Sequence, residues 1–414
     1  MDKEKTKKIL VLTADAGFGH RSAATAVAEA LDEVYSSECH VEVVNALDDR
    51  RAPALLRDAQ TDYDRIVREM PDLYKLPYKL TDAPIPTTIL ESAFTVMLYQ
   101  VIKDLIKRYR PNAIVSTYPL YLPAIQAVQQ VRGWSIPWLT VVTDLATVHR
   151  LWFNSGTDLC LVPTQPVQHL ALEAGLPAAK IAITGIPIHP KFIRETRSAA
   201  EIRNALGWHP EMPTVLIVGS KRVKNLEGVI DILNHSGLSM QKVIVTGGDD
   251  ELYERLQHEE RHGVTHLYNF VKNMPDMMHA ADCIVCKAGG LTVTEALACG
   301  LPLMLIDVTP GQEEGNADYV VSNGAGERTA SAVDALKGLY HWLDDGQKLL
   351  KERSAAARRV GTPRSAYTVA ELAWNAANAE PDKTRKLFPM RPHFQELLQR
   401  FGISDSASAE DAVS

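Results

Sequence analysis

The sequence is short of several things, and each shortage excludes a class of protein. No run approaches the roughly 20 consecutive apolar residues that a bilayer-spanning helix needs, so any membrane contact is expected to be peripheral. Net positive charge is missing: 44 Lys and Arg against 51 Asp and Glu leave a formal charge of −7, which argues against a global pull toward nucleic acid or anionic lipid. A disulfide framework is missing too. Cys39, Cys160, Cys283, Cys286 and Cys299 are odd in number and irregular in spacing, the pattern of a chain kept in a reducing compartment. The densely charged Met1–Lys8 runs into Ile9–Leu12, an apolar stretch too short for a secretory signal. These features read as a cytoplasmic protein. What remains is ordinary globular material, 46% hydrophobic and 23% charged over 414 residues, enough for two domains with a core each.

Short β-rich runs alternate with longer amphipathic ones, which predicts parallel α/β layers. Strands are expected at Lys8–Thr13, His40–Asn45, Ala113–Thr117, Trp138–Thr143 and Leu159–Pro163, with helices at Ser22–Val34 and Thr87–Tyr109. In the second helix Phe94, Met97, Leu98, Val101, Ile102, Leu105 and Ile106 recur at helical spacing. That stripe suits a core-facing helix, and a membrane-lying helix is the alternative. The pattern breaks at Thr184–Pro190, where two prolines interrupt an apolar run, a plausible hinge. It restarts with strands at Thr214–Gly219, Lys242–Thr246, Thr265–Phe270, Cys283–Cys286 and Pro302–Ile306, with a helix at Thr292–Ala298. Two doubly wound halves are therefore expected, over residues 1–186 and 187–375, with a polar helical segment and frayed tail over 376–414.

The first strand runs into Asp15-Ala16-Gly17-Phe18-Gly19-His20, a βα turn with Gly17 and Gly19 where the backbone bends tightly. Only part of a dinucleotide fingerprint is present, and the second strand ends at Asn45 rather than at an acid that could hold a ribose. His20 stands where the helix starts, on the edge at which α/β folds bind ligands. An imidazole there can accept a proton from a substrate hydroxyl, or it can simply contribute hydrogen bonds to the helix start.

The densest chemistry is Lys287-Ala288-Gly289-Gly290-Leu291-Thr292-Val293-Thr294-Glu295, between a strand and a helix. Gly289 and Gly290 let backbone N–H groups approach an anion, and a helix N-terminus favours a phosphate. Thr292 adds a hydroxyl, and Glu295 has two acceptor oxygens suited to a ribose diol. No G-K-[ST] ending is present, which excludes a Walker-type loop. After the next strand Gln312, Glu313 and Asn316 crowd into one loop, offering the mixed donors and acceptors that hexose hydroxyls need.

Three other features invite misreading. His258-Glu259-Glu260-Arg261-His262 spells H-E-x-x-H, but on a polar helix end that runs into Gly263 rather than on a buried helix. Cys283 and Cys286 lie along a strand without a second pair, and read as buried small hydrophobes. Leu73–Leu80 interleaves leucines, aromatics and lysines, fit for a headgroup region or an ordinary surface loop.

At these residues the chain resembles the diacylglycerol glycosyltransferases: bacterial processive diacylglycerol glucosyltransferases and plant monogalactosyldiacylglycerol synthases. It more distantly resembles the N-acetylglucosaminyltransferase that completes the peptidoglycan lipid precursor. The likeness runs from about Lys8 to Gly326 and rests on Ala16–His20, Thr143-Asp144-Leu145 with His149 and Trp152, Gly185–Pro190, Lys287–Glu295 and Gly311–Asn316. It implies a GT-B fold, two Rossmann-like domains facing a central cleft, with the acceptor in the first half and the nucleotide sugar in the second.

It further implies single-displacement inversion, no essential metal, and UDP-glucose or UDP-galactose as donor to a diacylglycerol-type lipid at the cytoplasmic face of a membrane. No nucleic acid is implied. His20 matches the family's catalytic base, and Asp144, His149 and Trp152 match a cleft motif. Glu295 matches the ribose-binding acid, and Gln312 and Glu313 match the pair that holds the sugar. Plant members carry a glycine-rich loop after the first strand of the second half. Here that strand runs into Gly219-Ser220-Lys221-Arg222-Val223-Lys224-Asn225, where Ser220 and a cation, Lys221 or Arg222, stand in its place. Residues Ala52 to Thr88 match the family poorly. UDP-sugar 2-epimerases share the implied architecture, and a non-catalytic nucleotide-sugar binder is the other alternative.

Overall fold

The computed structural model describes residues 6–15, 18–52, 84–221, 223–309, 311 and 313–380, excepting the side chains of 18 and 84–94. Expectations for Leu73–Leu80, for Ala16, Gly17, Arg222 and Gln312, and for the tail beyond 380 lie outside the described residues. The chain divides into two compact units. One comprises residues up to 144, 148–189 and the chain from 365 onward; the other comprises 145–147 and 190–364.

The first unit holds a parallel sheet of β1 (Lys7–Thr13), β2 (Cys39–Asn45), β3 (Ala113–Ser116), β4 (Trp138–Val141), β5 (Leu159–Val162) and β6 (Ile181–Ile183). Their order is β2-β1-β3-β4-β5-β6. The two faces of β1 show why its residues are almost all apolar: a parallel strand is covered on both sides. Leu10 and Leu12 pack with Leu98, Ile102 and Ile125, from helices Pro84–Tyr109 and Leu122–Arg132. Ile9 and Val11 pack with Val27 and Leu31 of α1 (Phe18–Tyr35) and with Val369, Ala370 and Ala373 of helix Ser365–Asn378. Most of the apolar stripe of Pro84–Tyr109 faces the core: Leu98, Val101, Ile102 and Ile106 are buried and Leu105 packs against them, while Met97 is exposed.

This packing moves the expected domain limits. The division falls between His189 and Pro190, and helix Ser365–Asn378 belongs with the first unit rather than with 187–375. The physical reason is the odd face of β1, which α1 alone leaves partly uncovered. The helix is pinned by Ser365, whose hydroxyl donates to the Ile186 carbonyl at 2.7 Å and accepts the Ile188 N–H at 3.3 Å. Trp374 stacks on Tyr35 of α1 at 4.6 Å, and the Tyr367 hydroxyl donates to Glu33.

The second unit holds β7 (Thr214–Val218), β8 (Gln241–Val245), β9 (Thr265–Tyr268), β10 (Cys283–Lys287), β11 (Leu303–Asp307) and β12 (Gly326–Arg328). The parallel order β12-β11-β10-β7-β8-β9 is that of a dinucleotide-binding Rossmann sheet. The short edge strands β6 and β12, three residues each, were not expected from the sequence pattern. Cys283 and Cys286 are buried, and burial pushes the Cys286 thiol up to about 12, so both behave as small hydrophobes.

Candidate active site

In an open α/β sheet, ligands bind beyond the carboxyl ends of the strands where the strand order reverses. In the first unit that point lies between β1 and β3. The chain after β1 enters α1, and His20 sits in the helix's first turn. Its ring Nδ1 lies 2.8 Å from the hydroxyl of Thr143, just beyond β4. Tyr118, after β3, meets the ring edge-on at 5.1 Å, and Trp152 lies tilted at 5.9 Å. The Thr117 hydroxyl donates to the His20 carbonyl at 3.1 Å. Burial pulls the imidazole down to about 4, opposed by a backbone hydrogen bond with Thr117. At neutral pH the ring is therefore uncharged and keeps a lone pair for a proton.

The turn itself is braced. Arg21 donates to both Asp15 oxygens, at 2.7 and 2.8 Å, closing the loop that carries His20. Asn45, at the end of β2, adds a bond to Asp15 at 3.3 Å and one to Asp48 at 2.7 Å. A Cβ on Gly19 would meet open space.

Asp144 accepts the Trp152 indole N–H at 2.8 Å, and burial raises its carboxyl to about 6 against that bond's lowering effect. His149 caps the short helical turn Arg150–Trp152, its Nδ1 accepting the Leu151 N–H at 3.2 Å. Asp144 and His149 thus each bear on the placement of Trp152, which in turn walls His20. Thr143 and Tyr118, which make the direct contacts to the ring, were not among the expected site residues. Thr143 neighbours Asp144 in the motif, but nothing local marks its hydroxyl as a partner of a residue in the first helix.

In the second unit the order reverses between β7 and β10. Lys287 ends β10, and Gly289 is the N-cap of helix Gly290–Ala298. Among the described residues no side chain caps that helix start, and the first N–H groups of a helix have no acceptor within it, the property that suits such a start to an anion. Leu291 and Thr292 follow in the first turn, both half-buried. Thr294 turns back to donate to the Gly290 carbonyl at 2.7 Å. Glu295 is half-buried, and among the described residues its carboxyl has no hydrogen bond or ion pair. Burial raises it to about 8.

The expected sugar-side residues are joined to this loop. Lys287 Nζ pairs with Glu313 Oε1 at 3.2 Å, while Glu313 Oε2 accepts the Thr309 N–H at 2.8 Å. Asn316 donates to the Ala288 carbonyl at 3.0 Å, holding the start of helix Glu314–Ser322 against the glycine turn.

The loop after β7, with Ser220, is fixed by other means than a glycine run. The Ser220 carbonyl accepts the Val223 N–H at 3.0 Å, and the Lys224 N–H donates to Asp307 at 3.0 Å. Gly247, after β8, has φ +65°, and a Cβ there would lie 2.1 Å from the Gly219 carbonyl oxygen, so these two loops touch backbone to backbone.

The H-E-x-x-H run does not lie on a helix: helix Asp250–His258 ends at its first histidine, and Glu259 is extended. Among the described residues no group of three His, Cys, Asp or Glu could hold a metal ion. Among them, too, no helix is long and apolar enough to cross a membrane.

Comparison with known proteins agrees with this layout. Residues 20–188 match the model of the monogalactosyldiacylglycerol (MGDG) synthase family, and residues 198–360 match that of glycosyl transferases group 1. A probable chloroplastic monogalactosyldiacylglycerol synthase from Glycine max is 31% identical over 89% of this chain and 71% of its own length. Monogalactosyldiacylglycerol synthase 3 from Arabidopsis thaliana is 30% identical over 89% of this chain and 81% of its own. Among solved structures, Acinetobacter baumannii MurG aligns with TM-score 0.57 at 17% identity, covering 89% of this chain and 99% of that one. The UDP-GlcNAc 2-epimerase from Neisseria meningitidis aligns with TM-score 0.58 at 14% identity, covering 89% of this chain and all of that one (100%). These likenesses, with the two Rossmann-like sheets, make the fold GT-B.

Proposed function

The chain belongs to the monogalactosyldiacylglycerol synthase family of glycosyltransferases, and from that premise we propose that it transfers a hexose from a UDP-sugar to a diacylglycerol-type lipid. The relatives' names favour galactose over glucose as the sugar. One observation carries the reading. At the switch point of the second sheet, a helix start with no side-chain cap stands one turn from Glu295, a half-buried carboxyl that, among the described residues, has no hydrogen bond or ion pair. A nucleoside diphosphate supplies what that arrangement lacks: phosphate oxygens for the Gly289–Leu291 backbone and a ribose diol for Glu295. Ser220 and the cations of its loop add charge beside the diphosphate. Gln312, Glu313 and Asn316 are assigned to the sugar side.

Chemistry follows from the His20 imidazole, neutral at working pH. It takes the acceptor hydroxyl proton at its outer nitrogen as the hydroxyl oxygen attacks the anomeric carbon. The bond from that carbon to the UDP oxygen breaks, its electron pair leaves with UDP, and the configuration inverts. Helix N–H groups and nearby cations stabilise the departing diphosphate, so no essential metal is called for. The lipid acceptor places the enzyme peripherally at a membrane surface, which we assign to the cytoplasmic face.

The test is UDP release from UDP-galactose and from UDP-glucose, with and without diacylglycerol in mixed micelles, in EDTA. Lipid-dependent release with one sugar supports the proposal and names the donor. Donor conversion without lipid would replace it with the isomerase chemistry of the 2-epimerases. UDP binding with no turnover on any lipid would leave a binder.

A further inference from the structure

The described contacts to His20 come from the ends of β3 and β4 and from the turn Arg150–Trp152, and the one from the end of β4 is chemically specific. We propose that Thr143 is the positioning residue of the catalytic base. Its hydroxyl accepts the Nδ1–H of His20, which fixes the ring's orientation and tautomer so that Nε2 presents its lone pair to the acceptor hydroxyl. The inference rests on the reading of His20 as the base.

The geometry is the argument. Thr143 Oγ1 and His20 Nδ1 are 2.8 Å apart, although the residues are 123 positions apart in the chain. Thr143 is buried, and its place is set by β4 through the backbone: the preceding Val142 N–H donates to the Leu161 carbonyl at 2.9 Å. The ring is hemmed by Tyr118 and Trp152, and its backbone carbonyl is held by Thr117, so the imidazole has little freedom to turn away from that hydroxyl.

No carboxylate of the described residues hydrogen-bonds the ring. The two nearest in sequence to this cluster are committed elsewhere, Asp144 to the Trp152 indole and Asp15 to Arg21 and Asn45. An imidazole oriented by a carboxylate has the charged form favoured by its partner. Held by a neutral hydroxyl in a desolvated place, it stays uncharged until it takes the substrate proton, and the tautomer then depends on which way the hydroxyl serves. When Nδ1 carries its hydrogen and Thr143 accepts, the proton from the acceptor goes to Nε2, and the bond to Thr143 strengthens as the ring becomes cationic. The opposite sense, Thr143 donating to Nδ1, leaves Nε2 protonated and unable to act as base.

The experiment compares Thr143→Val, Thr143→Ser and Thr143→Asp with His20→Ala in the full-length protein, reading kcat, the KM for UDP-sugar, UDP affinity and the pH profile of kcat/KM. Loss of the orienting hydroxyl in Thr143→Val is expected to lower kcat by about 10- to 100-fold, the size seen when the group that orients a metal-bound histidine is removed, with KM and UDP affinity nearly unchanged. Thr143→Ser restores most of the rate. Thr143→Asp puts a carboxylate on Nδ1, and the acidic limb of kcat/KM moves up by about one pH unit or more.

Wild-type kcat in Thr143→Val, with His20→Ala inactive, would overturn the role of Thr143 and leave the base in place. Activity retained in His20→Ala would overturn the base itself. Should Thr143→Val fail to fold, the pair of Ser and Asp variants decides: a reduced kcat in Thr143→Ser with an unmoved acidic limb in Thr143→Asp rejects the proposal.

Discussion

Lys287 Nζ stands 3.2 Å from Oε1 of Glu313, and both side chains are largely buried, at 16% and 12% exposure. The pair joins the last residue of β10 to the loop before helix Glu314–Ser322. Two residues that chain order separates are thereby made one unit of the site, and among the described residues neither charge has another ion-pair partner.

Removing the cation alone should therefore be costly. Lys287→Met leaves the Glu313 carboxylate buried with, among the described residues, the Thr309 N–H as the one remaining partner of its side chain, and a loss of about 3 kcal/mol is expected from breaking one side of a buried pair. Lys287→Met combined with Glu313→Gln should recover a large part of it. Urea denaturation midpoints of the single and double variants, with unchanged slopes, measure both; equal losses in the two would mean that the ion pair contributes nothing.

Glu295 predicts a pH dependence of nucleotide binding. Its unliganded carboxyl is raised to about 8 by burial, so near pH 7 it is mostly protonated. A ribose diol donating to the carboxylate favours the ionised form and lowers that value in the complex. UDP affinity should consequently rise as pH is raised from 6 toward 8, and level off above about 8. Glu295→Gln should bind more weakly at pH 8.5 and lose the slope. Calorimetric titrations of UDP across that range check this, and an identical slope in the variant would remove Glu295 from the ribose site.

His20, lowered to about 4, must be neutral to act. Protonation of the free enzyme's base should thus depress kcat/KM only as pH falls toward 4, and no loss between pH 8 and 6 is expected from this group. His20→Ala should reduce kcat by about 10²- to 10⁴-fold with UDP affinity nearly intact. An acidic limb near pH 6.5 in the wild-type profile would contradict the desolvated environment described for the ring.

Helix Ser365–Asn378 should matter to the first unit and not to the second, since Val369 packs with Ile9 and Val11 of β1. Val369→Ala should cost about 1–3 kcal/mol by lost burial and the space left behind. Hydrogen exchange should then show faster opening of β1 and α1, while β7 and β10 keep their protection. Uniform loss of protection in both sheets would mean that the two units unfold as one.

Much of this molecule could be read along the chain. The apolar runs Ile9–Leu12 and Ile284–Cys286, each followed by glycines and then a helical pattern, mark buried parallel strands with ligand-facing turns, because a strand's composition and the turn after it are local properties. His20, Gly289, Gly290 and Glu295 could be proposed as site residues for that reason: each follows a strand end by no more than eight residues. The edge strands Ile181–Ile183 and Gly326–Arg328 were not, since three residues carry too little periodicity to stand out from a loop.

The sequence by itself determined the longer strands and helices, where glycines let the backbone approach an anion, and the family to which the chain belongs. Only the tertiary structure decided that Thr143 meets His20, that Asp144 serves Trp152, that Lys287 closes on Glu313, and that helix Ser365–Asn378 returns to cover β1. The physical reason is the same in each case. A hydrophobic pattern specifies that a face is to be buried, and a polar side chain specifies that a partner is needed. Which face and which partner depend on strand order and packing, and the burial that holds His20 near 4 and Glu295 near 8 exists only once those layers have closed.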